Sequence, residues 1–159
     1  MSKFQQMDLP FCAAYTTEPG NLRVLVQEKT LFDLTRLQRL IDTLGLNTQY
    51  QATSSLEYLE RALSEQAFDL VLIRNDPTGC TVCRAAKALR ASGAASILLL
   101  GDAPAAVGLN ALSKGFGDYL TEIDMTEDGM RRAAFHAMRV AQAHLPVEEA
   151  ADPCVPAAF

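Results

Sequence analysis

The stretch FDLVLIRNDPTG, residues 68–79, decides how the rest of the chain reads. Leu70, Val71, Leu72 and Ile73 follow one another without a polar residue, the pattern of a strand covered on both faces, as in a parallel sheet. The run ends in Arg74, Asn75 and Asp76 before a Pro/Gly turn. In open α/β sheets the chemistry gathers at the carboxyl ends of the strands. Arg74, and whatever meets it there, therefore holds the functional question.

Working outward, strand-like and helix-like segments alternate five times between Asn21 and His144, which argues an α/β fold. LRVLVQ (22–27) reads as the first strand. A helix follows from Thr30, with Asp33 three residues on as a capping pair, an apolar face of Leu31, Leu34, Leu37, Ile41 and Leu44, and Gly45 as its stop. NTQYQA (47–52) is a short strand, and SSLEYLERALSEQ (54–66) a helix in which Ser54 and Glu57 have capping-box spacing. A third helix runs from Cys80 to Ala91 and ends at Gly93, and SILLLG (96–101) is a second wholly apolar, hence central, strand. Asp102 and Pro104 open a helix through Ser113, GDYLTE (117–122) is the fifth strand, and Thr126, Glu127 and Asp128 start a long alanine-rich helix to His144. One domain, 21–144, is expected, with residues 1–20 and 145–159 as flexible arms because neither shows periodicity.

Composition narrows the function classes. No apolar run approaches the roughly 18–20 residues of a membrane span. The N-terminal MSKFQQMDLPFCAAYTTEPG has neither the basic start nor the continuous apolar run of a secretory signal, so a cytoplasmic protein without membrane attachment is expected. Net charge is −5, and Glu148, Glu149 and Asp152 concentrate acidity in the C-terminal tail. No basic cluster exceeds Arg131-Arg132, which speaks against a nucleic-acid partner.

Cys80 and Cys83 form a CxxC. A zinc site needs four ligands, and the remaining candidates, Cys12, Cys154, His136 and His144, lie in the arms or far along the chain. Both cysteines are expected to be small, buried, inert residues of a helix, and no metal or cofactor is expected.

The carboxyl ends of strands one, three, four and five present Glu28 and Lys29, Arg74 with Asp76, Gly101 with Asp102, and Glu122. At these residues, and in VLVQEKT (24–30), FDLVLIR (68–74), GCTVCRAAKALRASG (79–93) and GFGDYLTEIDMTEDGMRRAAFHAMRV (115–140), the chain resembles the receiver domain of bacterial two-component response regulators. The resemblance implies a doubly wound five-stranded parallel sheet, a (βα)5 fold of strand order 2-1-3-4-5. It also implies two acids after strand one, a phosphate-accepting aspartate after strand three, a Thr or Ser after strand four and a Lys after strand five. Glu28 matches the first acid. Lys29 stands at the second acid, Arg74 at the phosphoacceptor, Gly101 at the hydroxyl and Glu122 at the lysine.

Aspartyl phosphorylation needs a carboxylate nucleophile and a Mg²⁺ held by acids. A guanidinium is always protonated and cannot serve as nucleophile, and Lys29 puts a cation where the metal would sit. Glu28, Asp76 and Glu122 are instead expected to accept hydrogen bonds from Arg74 and Lys29 in a closed ionic cluster. The expected function is a phosphorylation-independent, non-enzymatic pseudo-receiver that works by binding a signalling protein, such as a histidine kinase, cyclase or phosphodiesterase, or itself. The alternatives are atypical phosphorylation at Asp76, or a flavodoxin-like small-molecule or nucleotide-binding module; against the latter, QEKTLFD (27–33) is no glycine-rich phosphate loop. Tyr119 falls at the family's switch position. The small apolar residues of the flanking helices, among them Ala106 and Ala137, are expected to form an interface of helix four, strand five and helix five, through which a homodimer could form.

Overall fold

In a computed structural model, residues 21–77 and 80–143 are described; the two expected arms lie outside these residues. The chain alternates β1 (Asn21–Gln27), α1 (Leu31–Asp42), β2 (Asn47–Thr53), α2 (Leu56–Glu65), β3 (Leu70–Arg74), α3 (Thr81–Ser92), β4 (Ala95–Gly101), α4 (Ala105–Ser113), β5 (Asp118–Thr121) and α5 (Glu127–Ala143). The strands form one parallel sheet in the order β2-β1-β3-β4-β5. This is the doubly wound α/β architecture read from the sequence.

Strand burial follows from that order. β3 lies between β1 and β4, and Leu70, Val71, Leu72 and Ile73 are all fully buried. Leu70 and Leu72 face α1 and α5, while Val71 and Ile73 face α2, α3 and α4. Burying each such side chain contributes roughly 1.5–3 kcal/mol. A strand clad in helices on both sides has no solvent face on which polar alternation could appear.

Local signals set most boundaries. Thr30 caps α1: its hydroxyl accepts the Asp33 N–H at 3.1 Å and donates to the Asp33 carboxylate at 2.9 Å. Leu31, the first residue of α1, departs from the expected apolar face and is 76% exposed, while Leu37 and Ile41 are fully buried. Ser55, not Ser54, caps α2, accepting the Tyr58 N–H at 3.3 Å. α3 ends at Gly93 in the left-handed conformation, φ 76°, which a side chain would strain.

α5 corrects the expected interface. Ala133, Ala134 and Ala137 are buried with Met130 against β3, β4 and β5, so Ala137 is core and not surface. The approach is close: a Cβ on Gly117 would lie 2.7 Å from the Ala137 Cβ. Small residues on both sides allow α5 to seat on the sheet at short range. Ala106 of α4, by contrast, is exposed.

Candidate functional site

β1 and β3 pair in parallel, with Gln27 opposite Ile73, and so deliver the next residues, Glu28 and Arg74, side by side at the carboxyl edge of the sheet. Arg74 Nε and Nη2 both donate to Glu28 Oε2, at 2.9 and 2.6 Å. The Arg74 side chain is 18% exposed and that of Glu28 2%. With so little water around the pair, loss of either partner would leave the other a poorly solvated charge. The other Glu28 oxygen, Oε1, accepts the Lys29 backbone N–H at 3.3 Å.

Gly101 completes the enclosure from β4. Its φ is +60°, and a Cβ there would come 3.3 Å from Arg74 Nη1. Glycine at this position therefore meets both a backbone and a space requirement: the guanidinium lies over the end of β4. Lys29 Nζ lies 3.6 Å from Asp76 Oδ2, both side chains well exposed. Asp76 is fixed from its own backbone, whose N–H donates to Thr81 Oγ1 at 3.0 Å.

Glu122 stands apart from the expected cluster. Its carboxylate pairs with Arg36 of α1 at 2.7 Å, not with Arg74 or Lys29. The strand-end site is thus two pairs, Arg74–Glu28 buried and Lys29–Asp76 exposed, with Glu122 recruited to tie the β5–α5 loop to α1. No pattern in the sequence announces Arg36 as that partner, because 86 positions separate it from Glu122.

The donor set does not fit Mg²⁺. A divalent ion here would need carboxylate oxygens facing open space. Both oxygens of Glu28 are engaged, the neighbouring side chain is the Lys29 ammonium, and a guanidinium occupies the position between β1 and β4. Among the described residues no group of three His, Cys, Asp or Glu is arranged to hold a metal ion.

Tyr119 lies half-buried on β5 with its ring pressed onto α4. A Cβ on Gly108 would be 2.5 Å from the ring Cγ, so Gly108 is the floor on which the ring rests. Sequence reasoning named Tyr119 and missed Gly108; a glycine in the middle of an otherwise good helix former was the available signal. Cys80 and Cys83, expected to be buried, are both exposed free thiols. The buried positions of α3 are Thr81, Val82, Ala85, Ala86 and Leu89, and neither cysteine falls among them.

No protein-family model matches the sequence, and no curated protein matches it. Solved structures do resemble the chain. A response regulator receiver domain protein from Clostridium thermocellum aligns at TM-score 0.63 and 18% identity, over 77% of this chain and 98% of that one. The fold is that of a receiver domain. The receiver domain of a sensor histidine kinase from Pseudomonas aeruginosa PAO1, with a magnesium ion coordinated in its active site cleft, aligns at TM-score 0.61 and 18% identity over 75% and 98% of the two chains. An atypical orphan response regulator, described as revealing a new phosphorylation-independent regulatory mechanism, aligns at TM-score 0.58 and 18% identity over 74% and 96%. Within this receiver fold, no helix among the described residues is long and apolar enough to cross a membrane.

Proposed function

We propose that the chain is a pseudo-receiver of two-component or phosphorelay-type signalling, a non-enzymatic module that acts by protein–protein contact without phosphorylation. The observation that carries this reading is the Arg74–Glu28 pair. The residue in the phosphoacceptor position is a cation, and it occupies Glu28, the one strand-one acid that matches the family pattern. The Gly101 backbone leaves space for that guanidinium instead of offering a hydroxyl to a phosphoryl group. The likeness to an orphan regulator described as phosphorylation-independent supports the same reading.

The contact surface we favour lies on α4. Ala105, Leu109 and Leu112 share one flank at i, i+4 and i+7, and Leu109 and Leu112 are 59% and 36% exposed. β5, the outer strand against which α4 packs, carries Asp118, which lies 3.3 Å from His136 of α5. An apolar stripe with a polar margin is the composition of a contact surface, and the partner is a signalling protein such as a kinase, a cyclase or phosphodiesterase, or a second copy. Addition of Mg²⁺ with beryllofluoride, a phosphoryl mimic, tests the reading: amide spectra at Glu28, Arg74 and Gly101 and the association state should stay the same. Saturable shifts at those amides would overturn it.

A further inference from the structure

Cys80 is the N-cap of α3 and Cys83 lies in its first turn, three residues on, and neither sulfur fills space in the core. When a free thiol has no packing task, its reactivity is what gives it consequence. We propose that Cys80 and Cys83 form a reversible dithiol–disulfide pair, whose oxidant is a low-molecular-weight disulfide. This goes beyond the reading of the strand-end site and does not depend on it.

The backbone permits closure. Helical residues three apart hold their Cβ atoms about 5–6 Å apart, and a disulfide needs about 3.5–4.5 Å. Cys80 sits outside helical geometry, at φ −98° and ψ 61°, so its side chain can swing toward Cys83 without unwinding a turn. Its carbonyl meanwhile accepts the Arg84 N–H at 3.1 Å and anchors the first turn. No third ligand competes for the pair, since no metal-binding group is found among the described residues.

The two sulfurs have different roles. The hydrogen bond that the Cys83 thiol donates to Cys80, and then the Cys80 charge, push the Cys83 thiol upward in pKa; desolvation adds to this and Lys114 opposes it. Cys80, at the N-cap and outside the helical turn, is placed as the attacking sulfur, with Cys83 one turn on to resolve the mixed disulfide. The Cys80 thiolate attacks one sulfur of the oxidant, forming a mixed disulfide and expelling one thiolate. The Cys83 thiol, giving its proton to solvent, then attacks the Cys80 sulfur and expels the second. Two protein thiols become one disulfide, and the oxidant is reduced to two thiols. Thr81 lies between the cysteines and receives the Asp76 N–H, so closure acts on the turn that carries Asp76.

The full chain, incubated with oxidised glutathione and then alkylated and digested with trypsin, gives the test. Cleavage after Arg74 and Arg84 isolates NDPTGCTVCR (75–84) with both cysteines. We expect this peptide to lose the mass of two hydrogens, to recover it with dithiothreitol, and to carry one glutathione on Cys80 in Cys83→Ser. The Asp76 amide resonance should shift on oxidation of the wild type and stay fixed in Cys83→Ser. Both cysteines remaining alkylatable, stable glutathione on both, or bridges only to Cys12 or Cys154 would overturn the pair. An unmoved Asp76 resonance in the oxidised protein would overturn its link to the strand-end site.

Discussion

Arg74 and Glu28 meet through two N–H donors on a single carboxylate oxygen, 2.9 and 2.6 Å away, where the carboxyl ends of β1 and β3 adjoin. The pair is nearly dehydrated, so removing one member leaves the other as a poorly solvated charge. Arg74→Ala should lower stability by about 1–3 kcal/mol, less than for a fully buried pair because Arg74 keeps some exposure. Lys29→Ala breaks only the exposed contact with Asp76 and should cost less than about 1 kcal/mol. Urea midpoints decide this, and equal midpoints for the two variants would mean that the Arg74–Glu28 pair contributes nothing beyond a surface contact.

Stability should depend on pH through Asp69, which no motif singled out. Asp69 is 1% exposed immediately before β3 and accepts the Arg23 N–H at 2.8 Å. Burial pushes its pKa up to about 8, against the lowering effects of that hydrogen bond and of the Arg23 charge. An unfolded aspartate titrates near about 3.9. Between these values the folded chain holds a proton that the unfolded chain has lost, so the contribution is complete below about pH 4 and is lost as pH rises through about 8. Asp69→Asn removes that dependence. The difference in melting temperature, variant minus wild type, should rise between pH 5 and pH 9, and a constant difference would contradict the assignment.

The Tyr119 ring and Gly108 are packed so closely that neither tolerates growth of the other. Gly108→Ala inserts a Cβ at 2.5 Å from the ring Cγ and should destabilise by roughly 1–3 kcal/mol while displacing the ring. In the Tyr119→Ala background the same change should cost little, since the obstruction is gone. A double-mutant cycle with zero coupling would show that the ring rests elsewhere.

Charge on α4 and charge on α5 should have opposite consequences. Leu109→Glu and Ala106→Glu introduce carboxylates on an exposed flank, so the fold should persist while association through this face is lost. Ala137→Glu places one in a fully buried position against Gly117 and should unfold the chain. Circular dichroism and light scattering separate the outcomes. Unchanged association in Leu109→Glu would exclude the α4 face.

How far the sequence could be read follows from where each side chain gets its surroundings. β3 and β4 were legible because strands with helices on both sides are apolar throughout, and Thr30 was legible because its capping partner is three residues away. The strand-end residues were legible as a set, since parallel register brings Glu28, Arg74 and Gly101 to one edge. Their pairing was only partly so: Glu122 is taken by Arg36 through the tertiary approach of α1 to the β5–α5 loop. The alanines of α5 misled because small residues suit both a surface and a close contact. The spacing of Met130, Ala133, Ala134, Ala137 and Ala141 is nonetheless that of one inward stripe. Likewise Val82, Ala85, Ala86 and Leu89 define the buried stripe of α3, which passes Cys83 by.

Phosphoryl transfer tests the central claim most directly. Incubation of the full chain with Mg²⁺ and acetyl phosphate, followed by intact mass measurement, should give only the unmodified mass, because Arg74 offers no nucleophile and its guanidinium holds the Glu28 carboxylate where the metal would bind. An added phosphoryl mass located on Asp76 would contradict the account.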